Sequence, residues 1–311
     1  MLNKTIPKIA VFVISAAFAG CAIVSTNENQ VQPASSFGLP EKVGTISSAE
    51  ITESSGIAAS RCQTDVLWTH NDSGGGPFVF ALSPKGDKLG TWKIPDAENI
   101  DWEDIAAYKD RSGKCYLYIG DIGDNRAERR EHLVYRIAEP FASPESADST
   151  RESPLAAAKP QELRFEYPDS AQDAETLMVQ AHTGDIYVIT KHQNDAARVY
   201  RLKPDFNTDK LQKAVKVAEI AVPAVPNGFL TGGDISPDGQ HVIICDYLQA
   251  YEFSLPANTQ NFDEIWGQKP EVVDLGTRKA GEAVCYNVDG TTIFATSEGK
   301  NSPLIRVTRL K

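Results

Sequence analysis

The chain has 311 residues, 31 basic against 42 acidic, and 41% of them are apolar, which suits a large folded domain and not a disordered chain. A net charge of −11 argues against nucleic acid as a partner, since that needs a basic surface, and against docking on anionic lipid by charge. No apolar run reaches the roughly 20 residues of a membrane span.

The first elements in chain order form an address. Lys4 and Lys8 precede the apolar run 9–20, which suits a signal-peptide core. The run ends in Phe18-Ala19-Gly20-Cys21, which resembles a bacterial lipobox, with Phe18 in place of the usual Leu. The resemblance implies a signal peptide over 1–20 and lipidation of Cys21. Ala22 at the next position implies the outer membrane. The alternative is an ordinary secretory signal. Residues 21–38 then form the lipidated Cys and a flexible tether of small polar residues, and 39–311 a single domain. The expected location is the cell envelope, with the membrane reached by the lipid anchor only. Export places the other cysteines in an oxidising compartment. Cys62 and Cys115 lie at similar places in two successive repeats and are expected to pair. Cys245 and Cys285 either pair or are buried as small apolar residues.

One short signature then recurs five times: Ser55-Gly56-Ile57-Ala58, Glu103-Asp104-Ile105-Ala106, Glu175-Thr176-Leu177-Met178, Gly233-Asp234-Ile235-Ser236 and Glu282-Ala283-Val284-Cys285. Each copy is followed by a β-rich run ending in polar residues, and then by a third alternating segment. Repeated short strands with turn residues between them predict an all-β propeller of five blades. The last repeat runs out of chain after its third strand, while 42–47 is strand-like and unpartnered. The N-terminal strand is therefore expected to close the last blade, which removes open sheet edges. A sixth blade within 139–165 is the alternative, although 139–160 reads as a Pro/Ser/Ala-rich surface loop. Trp68, Trp92 and Trp102 lie beside apolar strand residues and are expected to pack between blades.

The innermost strand of a propeller blade lines the central channel, and residues two apart on it face the same way. Ser55, Glu103, Glu175, Gly233 and Glu282 share one repeat position. Glu53, Asp101 and Asp173 occupy the position two before in their blades. Carboxylates converging on a narrow channel repel one another, so either their pKa values rise or a cation sits among them. The expected metal ligands are Ser55, Glu103, Glu175 and Glu282. Asp234 is one candidate for the missing fourth-blade donor, with a backbone carbonyl or a water as the others. Glu53, Asp101 and Asp173 form a second layer. Ca²⁺ fits an irregular set of oxygen donors better than Mg²⁺.

The second strands end in polar clusters that should crowd one face of the ring. Asn71, Asp72, Asp121, Asp124, Asn125, Arg126 and Lys191 read either as a substrate cup or as turn residues capping strands. Arg126, Arg129 and Arg130 form the main basic patch. The triplet Gly74-Gly75-Gly76 lacks a following Lys-Ser/Thr and is no phosphate loop, and no Ser sits in a Gly-x-Ser-x-Gly elbow.

With Ser55-Gly56-Ile57, Asp101-x-Glu103 and Glu282-Ala283-Val284, the ring resembles that of the SdiA-regulated lipoprotein-like propellers. It is also similar to that of the calcium-activated apyrases. The segments Ile186-Tyr187-Val188-Ile189-Thr190-Lys191 and Val199-Tyr200-Arg201-Leu202 are similar to the esterase-like phytase propellers. The resemblance implies a propeller with a central Ca²⁺, and no particular reaction. Two functions follow as expectations. One is a lipid-anchored binding protein for a small ligand or cell-envelope protein, with structural calcium. The other is a calcium-dependent phosphoesterase in which Arg126, Arg129, Arg130 or Lys191 holds phosphate.

Overall fold

The computed structural model describes residues 35–223 and 226–310. Five sheets, each built on four antiparallel strands, follow one another along the chain as five blades. Blade 1 contains Ser54–Ala59, Leu67–Asn71, Phe78–Leu82 and Lys88–Lys93. Blade 2 contains Trp102–Lys109, Cys115–Asp121, His132–Ala138 and Gln161–Glu166. Blade 3 contains Ala174–Val179, Ile186–Thr190, Ala197–Leu202 and Val215–Ile220. Blade 4 contains Gly232–Ile235, His241–Cys245, Gln249–Ser254 and Glu271–Asp274. Blade 5 contains Gly281–Tyr286, Thr292–Ser297 and Ser302–Thr308, and its outermost strand is the N-terminal Glu41–Ile46. That strand runs antiparallel to Ser302–Thr308, with Glu41 opposite Arg306 and Ile46 opposite Ser302. The expected closure of the ring is thus present.

Strand alternation explains how the blades hold together. Successive side chains leave opposite faces of a sheet, so each blade feeds two cores. Trp68, Val79 and Trp92 of blade 1 pack with Trp102, Ile105 and Leu117 of blade 2. The neighbouring Ala106 and Tyr118 turn the other way, onto Leu177 and Val188 of blade 3. A third core joins blades 3 and 4 and a fourth joins 4 and 5. The fifth joins blade 5 back to blade 1 through Ile46, Leu304, Ile57 and Phe80. The three tryptophans are buried, with Trp68 and Trp92 edge to face at 5.2 Å.

The segment after Ala138 forms no sixth blade. Its first part is the expected surface loop, but it runs back across blade 1. There, Ser149 Oγ accepts the Thr91 N–H at 2.8 Å, and Leu155–Ala156 pairs in parallel with the outer edge. It then supplies blade 2 with its fourth strand, Gln161–Glu166, in place of the alternative sixth blade within 139–165. Cys62 and Cys115 form a disulfide between blades 1 and 2, with Cα atoms 6.2 Å apart. Cys245 and Cys285 are buried and free.

The signal peptide 1–20, Cys21 and the tether up to residue 34 lie outside the described residues. The end of the expected tether, from Ser35, lies along blade 5: Phe37 is buried and bridges Arg309, and the Gly38 N–H donates to Thr308 O at 2.8 Å.

Candidate metal centre at the channel mouth

A β-bulge opens the innermost strand in four of the five blades. In blade 2 it falls between Trp102 and Asp104, in blade 3 between Ala174 and Thr176, and in blade 5 between Gly281 and Ala283. Glu103, Glu175 and Glu282 are thus the extra residues, with no opposite number on the second strand. In blade 1 Ser55 and Gly56 together face one partner residue. A bulge turns its extra side chain out of the pleat. Here it delivers three buried glutamates to one end of the ring. Blade 4 has a regular ladder and no bulge, and its glycines follow from crowding: a Cβ on Gly232 would lie 2.4 Å from Glu282 O.

At this mouth Glu103 meets Asp101, two residues before it, and Asp72, from the end of the second strand of blade 1. One carboxylate oxygen from each lies within 4.8 Å of the others. Glu103 is buried, while Asp72 and Asp101 are half-buried and reach solvent. Ser55 Oγ donates to Glu103 Oε2 at 3.4 Å. Beside the triad, Lys191 Nζ contacts Glu175 and lies 4.8 Å from the Phe229 ring centroid and 5.4 Å from that of Tyr247. The Oε2 of Glu282 is buried with no hydrogen-bond partner among the described residues.

The electrostatics follow from burial and crowding. Burial, with the charges of Glu175 and Asp72, holds the Glu103 pKa well above the usual carboxylate range. Burial and the charge of Glu175 push Glu282 up to about 9. Burial and the neighbouring Asp72 and Asp173 push Asp101 up to about 6. Glu175 is raised to about 8 by burial, although Lys191 opposes the shift. Burial disfavours the Lys191 ammonium, yet the charges of Glu175 and Glu282 keep its pKa above the ordinary value. These groups fit a bound hard cation: the triad donors are all oxygens, and the buried Glu282 Oε2 nearby has no hydrogen-bond partner among the described residues. Gly123 leaves room for the cluster, since a Cβ there would lie 2.1 Å from Glu103 Oε1 and 2.6 Å from the Asp101 carboxylate.

Sequence reading sorted these residues into a ring, a second layer and a cup; the fold merges one member of each group, Glu103, Asp101 and Asp72. Glu53 is exposed at the rim. Asp173 accepts the Asp124 N–H at 2.8 Å and so ties blade 2 to blade 3. Asp234 is not at this mouth. It sits one residue further along its strand, where Arg61 Nη2 meets it at 2.9 Å and the N–H groups of Ile235 and Tyr286 donate to it. Asp104, at the same repeat position in blade 2, is not among the residues the sequence pattern singles out. It accepts the N–H of Leu177 in blade 3 at 2.9 Å and of Gly233 in blade 4 at 3.3 Å, a buried acid joining three blades below the mouth. The only sequence signal was an acid at a position that is small in two other copies.

Three of the other cup residues hold backbone at strand ends and loops. Asn71 accepts the N–H groups of Thr52 and Glu53, Asp121 accepts those of Ile100 and Asp101, and Asp124 accepts those of Glu128 and Arg129. Arg129 pairs with Asp121 at 2.7 Å, and Asn125 and Arg126 are exposed. A cup of about 670 Å³ does lie beside the triad, lined by Asn125, Asp173, Lys191, His192, Arg198 and Tyr247 among others. Compared with known protein families and curated proteins, the chain matches no family model and no curated sequence.

Proposed function

We propose that this chain is a lipid-anchored binding protein of the cell envelope, tethered through Cys21 at the outer membrane. Its channel mouth holds one Ca²⁺, and the adjoining cup takes a small ligand or a segment of an envelope protein. The observation that carries the reading is the convergence of the Asp72, Asp101 and Glu103 oxygens within 4.8 Å. Three carboxylates that close are costly unless protonated or neutralised, and a divalent ion neutralises them. Half-buried Asp72 and Asp101 leave a side open to water, which suits the larger and irregular shell of Ca²⁺ better than the strict octahedron of Mg²⁺.

The test is thermal unfolding of a soluble chain starting near residue 30, in excess EGTA and then with Ca²⁺ or Mg²⁺. A ligand that binds only the folded state at 100 times its Kd stabilises by about 2.7 kcal/mol. Ca²⁺ is expected to raise the melting temperature, and Glu103→Gln and Asp101→Asn to lose that response. An unchanged melting temperature with no co-purifying metal sinks the reading. Cys21→Ser should release the full-length protein from the membrane fraction.

A second reading, a calcium-dependent phosphoesterase, draws support from Lys191, His192 and Arg198 lining the cup beside the triad. It ranks second because Lys191 and Arg129 already have carboxylate partners, Glu175 and Asp121. Hydrolysis of p-nitrophenyl phosphate that needs Ca²⁺ and vanishes in Glu103→Gln would reverse the ranking.

A further inference from the structure

We propose that the channel mouth is built as two adjacent cation subsites, the second of which the chain fills with the ammonium of Lys191. The argument starts from equivalent backbone positions. The N–H groups of Asp72, Lys191 and Glu298 donate to the carbonyls of Glu53, Asp173 and Ala280, at 2.9, 3.0 and 3.1 Å. In each case the acceptor lies two residues before the bulged residue of its blade. The three side chains therefore leave the ring from the same place, in blades 1, 3 and 5. Blades 1 and 5 supply a carboxylate there, and blade 3 supplies a cation.

What surrounds that cation is the donor set of a hard metal. Glu175 from blade 3 contacts the ammonium, the Tyr247 hydroxyl of blade 4 lies 3.4 Å away, and Glu282 is the bulged residue of blade 5 at the position equivalent to Glu175. Glu282 is 4% exposed, and its buried Oε2 has no partner among the described residues. Oxygens from two blades thus meet one Nζ, and a third blade turns into the same mouth a glutamate with a buried oxygen left over. Asp72, Asp101 and Glu103 form the other subsite, from blades 1 and 2. Lys191 neutralises half of the mouth from within, so one divalent ion suffices where the acids would accommodate two. The ligand class of the second subsite, once vacated, is a divalent cation with oxygen preference.

This inference rests on the same acidic mouth as the proposed Ca²⁺ site, yet the two fail separately. Calorimetric titration with Ca²⁺ and metal content after gel filtration would be measured on the soluble chain, Lys191→Met, Lys191→Arg and the double variant Lys191→Met/Glu282→Gln. One ion is expected in the unaltered chain, two in Lys191→Met, one in Lys191→Arg and one in the double variant. A folded Lys191→Met that binds no more ions than the unaltered chain overturns the inference. An unaltered chain with none and Lys191→Met with one would uphold the second subsite and remove the triad reading. If Lys191→Met is unfolded without metal, Ca²⁺ must restore its circular dichroism; a chain that stays unfolded at saturating Ca²⁺ also overturns the inference.

Discussion

The innermost strands carry acids at two levels, and the two levels are treated in opposite ways. Below the mouth, Asp234 has a guanidinium and two N–H groups around it, and Asp104 accepts N–H groups from its own strand and from blades 3 and 4. At the mouth, Asp72, Asp101 and Glu103 bring their carboxylates within 4.8 Å of one another and form no ion pair among the described residues, and Glu282 keeps a buried oxygen without a partner among them. Residue type is the same at both levels, so type does not mark the functional end. What marks it is whether the chain itself supplies the compensating charge and hydrogen bonds. A buried acid with its partner in the same chain holds blades together, and acids without one are left for a cation from outside.

The largest effect is expected at the satisfied level. Arg61 and Asp234 are both nearly buried, and removing one partner of such a pair leaves an uncompensated charge, at a cost of about 3–5 kcal/mol. Arg61→Met should therefore lower the denaturant midpoint strongly while leaving the Ca²⁺-induced shift intact. A variant that kept its stability but lost that shift would show the two levels to be one system.

Arg129 and Arg126 bring the same comparison to one loop. Arg129 is paired with fully buried Asp121, and Arg126 is exposed. Arg129→Ala strips a charged partner from a buried acid and should cost about 1–3 kcal/mol in urea unfolding. Arg126→Ala should stay within about 0.5 kcal/mol. Equal costs would mean that this loop is held by its backbone alone.

The architecture was legible because it is written in repetition: five copies of one signature, and an unpartnered strand before the first that matches a missing strand in the last. The fourth strand of blade 2 was not, since a Pro/Ser/Ala-rich loop precedes it and its alternation is short. At the site, Glu103, Glu175 and Glu282 could be found by aligning the copies, but the bulges could not, because no residue type dictates where a ladder takes an extra residue. With the bulges invisible, Asp72 and Asp101 fall in other groups and Asp234 stands among the candidates for the fourth-blade donor. Its partner Arg61 lies 173 residues away in sequence and belongs to another blade. Lys191 was visible as a cup residue, but its contact with Glu175 depends on how far the bulge turns that side chain.

The smallest predicted effect is the dependence of the metal-free chain on pH, and its influence on Ca²⁺ binding bears on the mouth. Asp101 is held at about 6 and Glu282 at about 9, against usual carboxylate values near 4. The folded chain therefore holds these protons more tightly than the unfolded chain does. The stability this confers is fully present below about pH 4 and is lost as pH rises through 6 and then 9. Asp101 is half-exposed and Arg129 partly offsets its acidic neighbours, so its share after solvent screening is on the order of 1 kcal/mol. In EGTA the melting temperature should be lower at pH 9 than at pH 5. Binding of Ca²⁺ needs the deprotonated carboxylates, so the Ca²⁺-induced rise should grow over the same interval. Lys191 stays charged throughout and cannot produce this trend. A Ca²⁺ effect equal at pH 5 and pH 9 would mean that the mouth acids are compensated within the chain, as Asp234 is, and the contrast between the two levels would disappear.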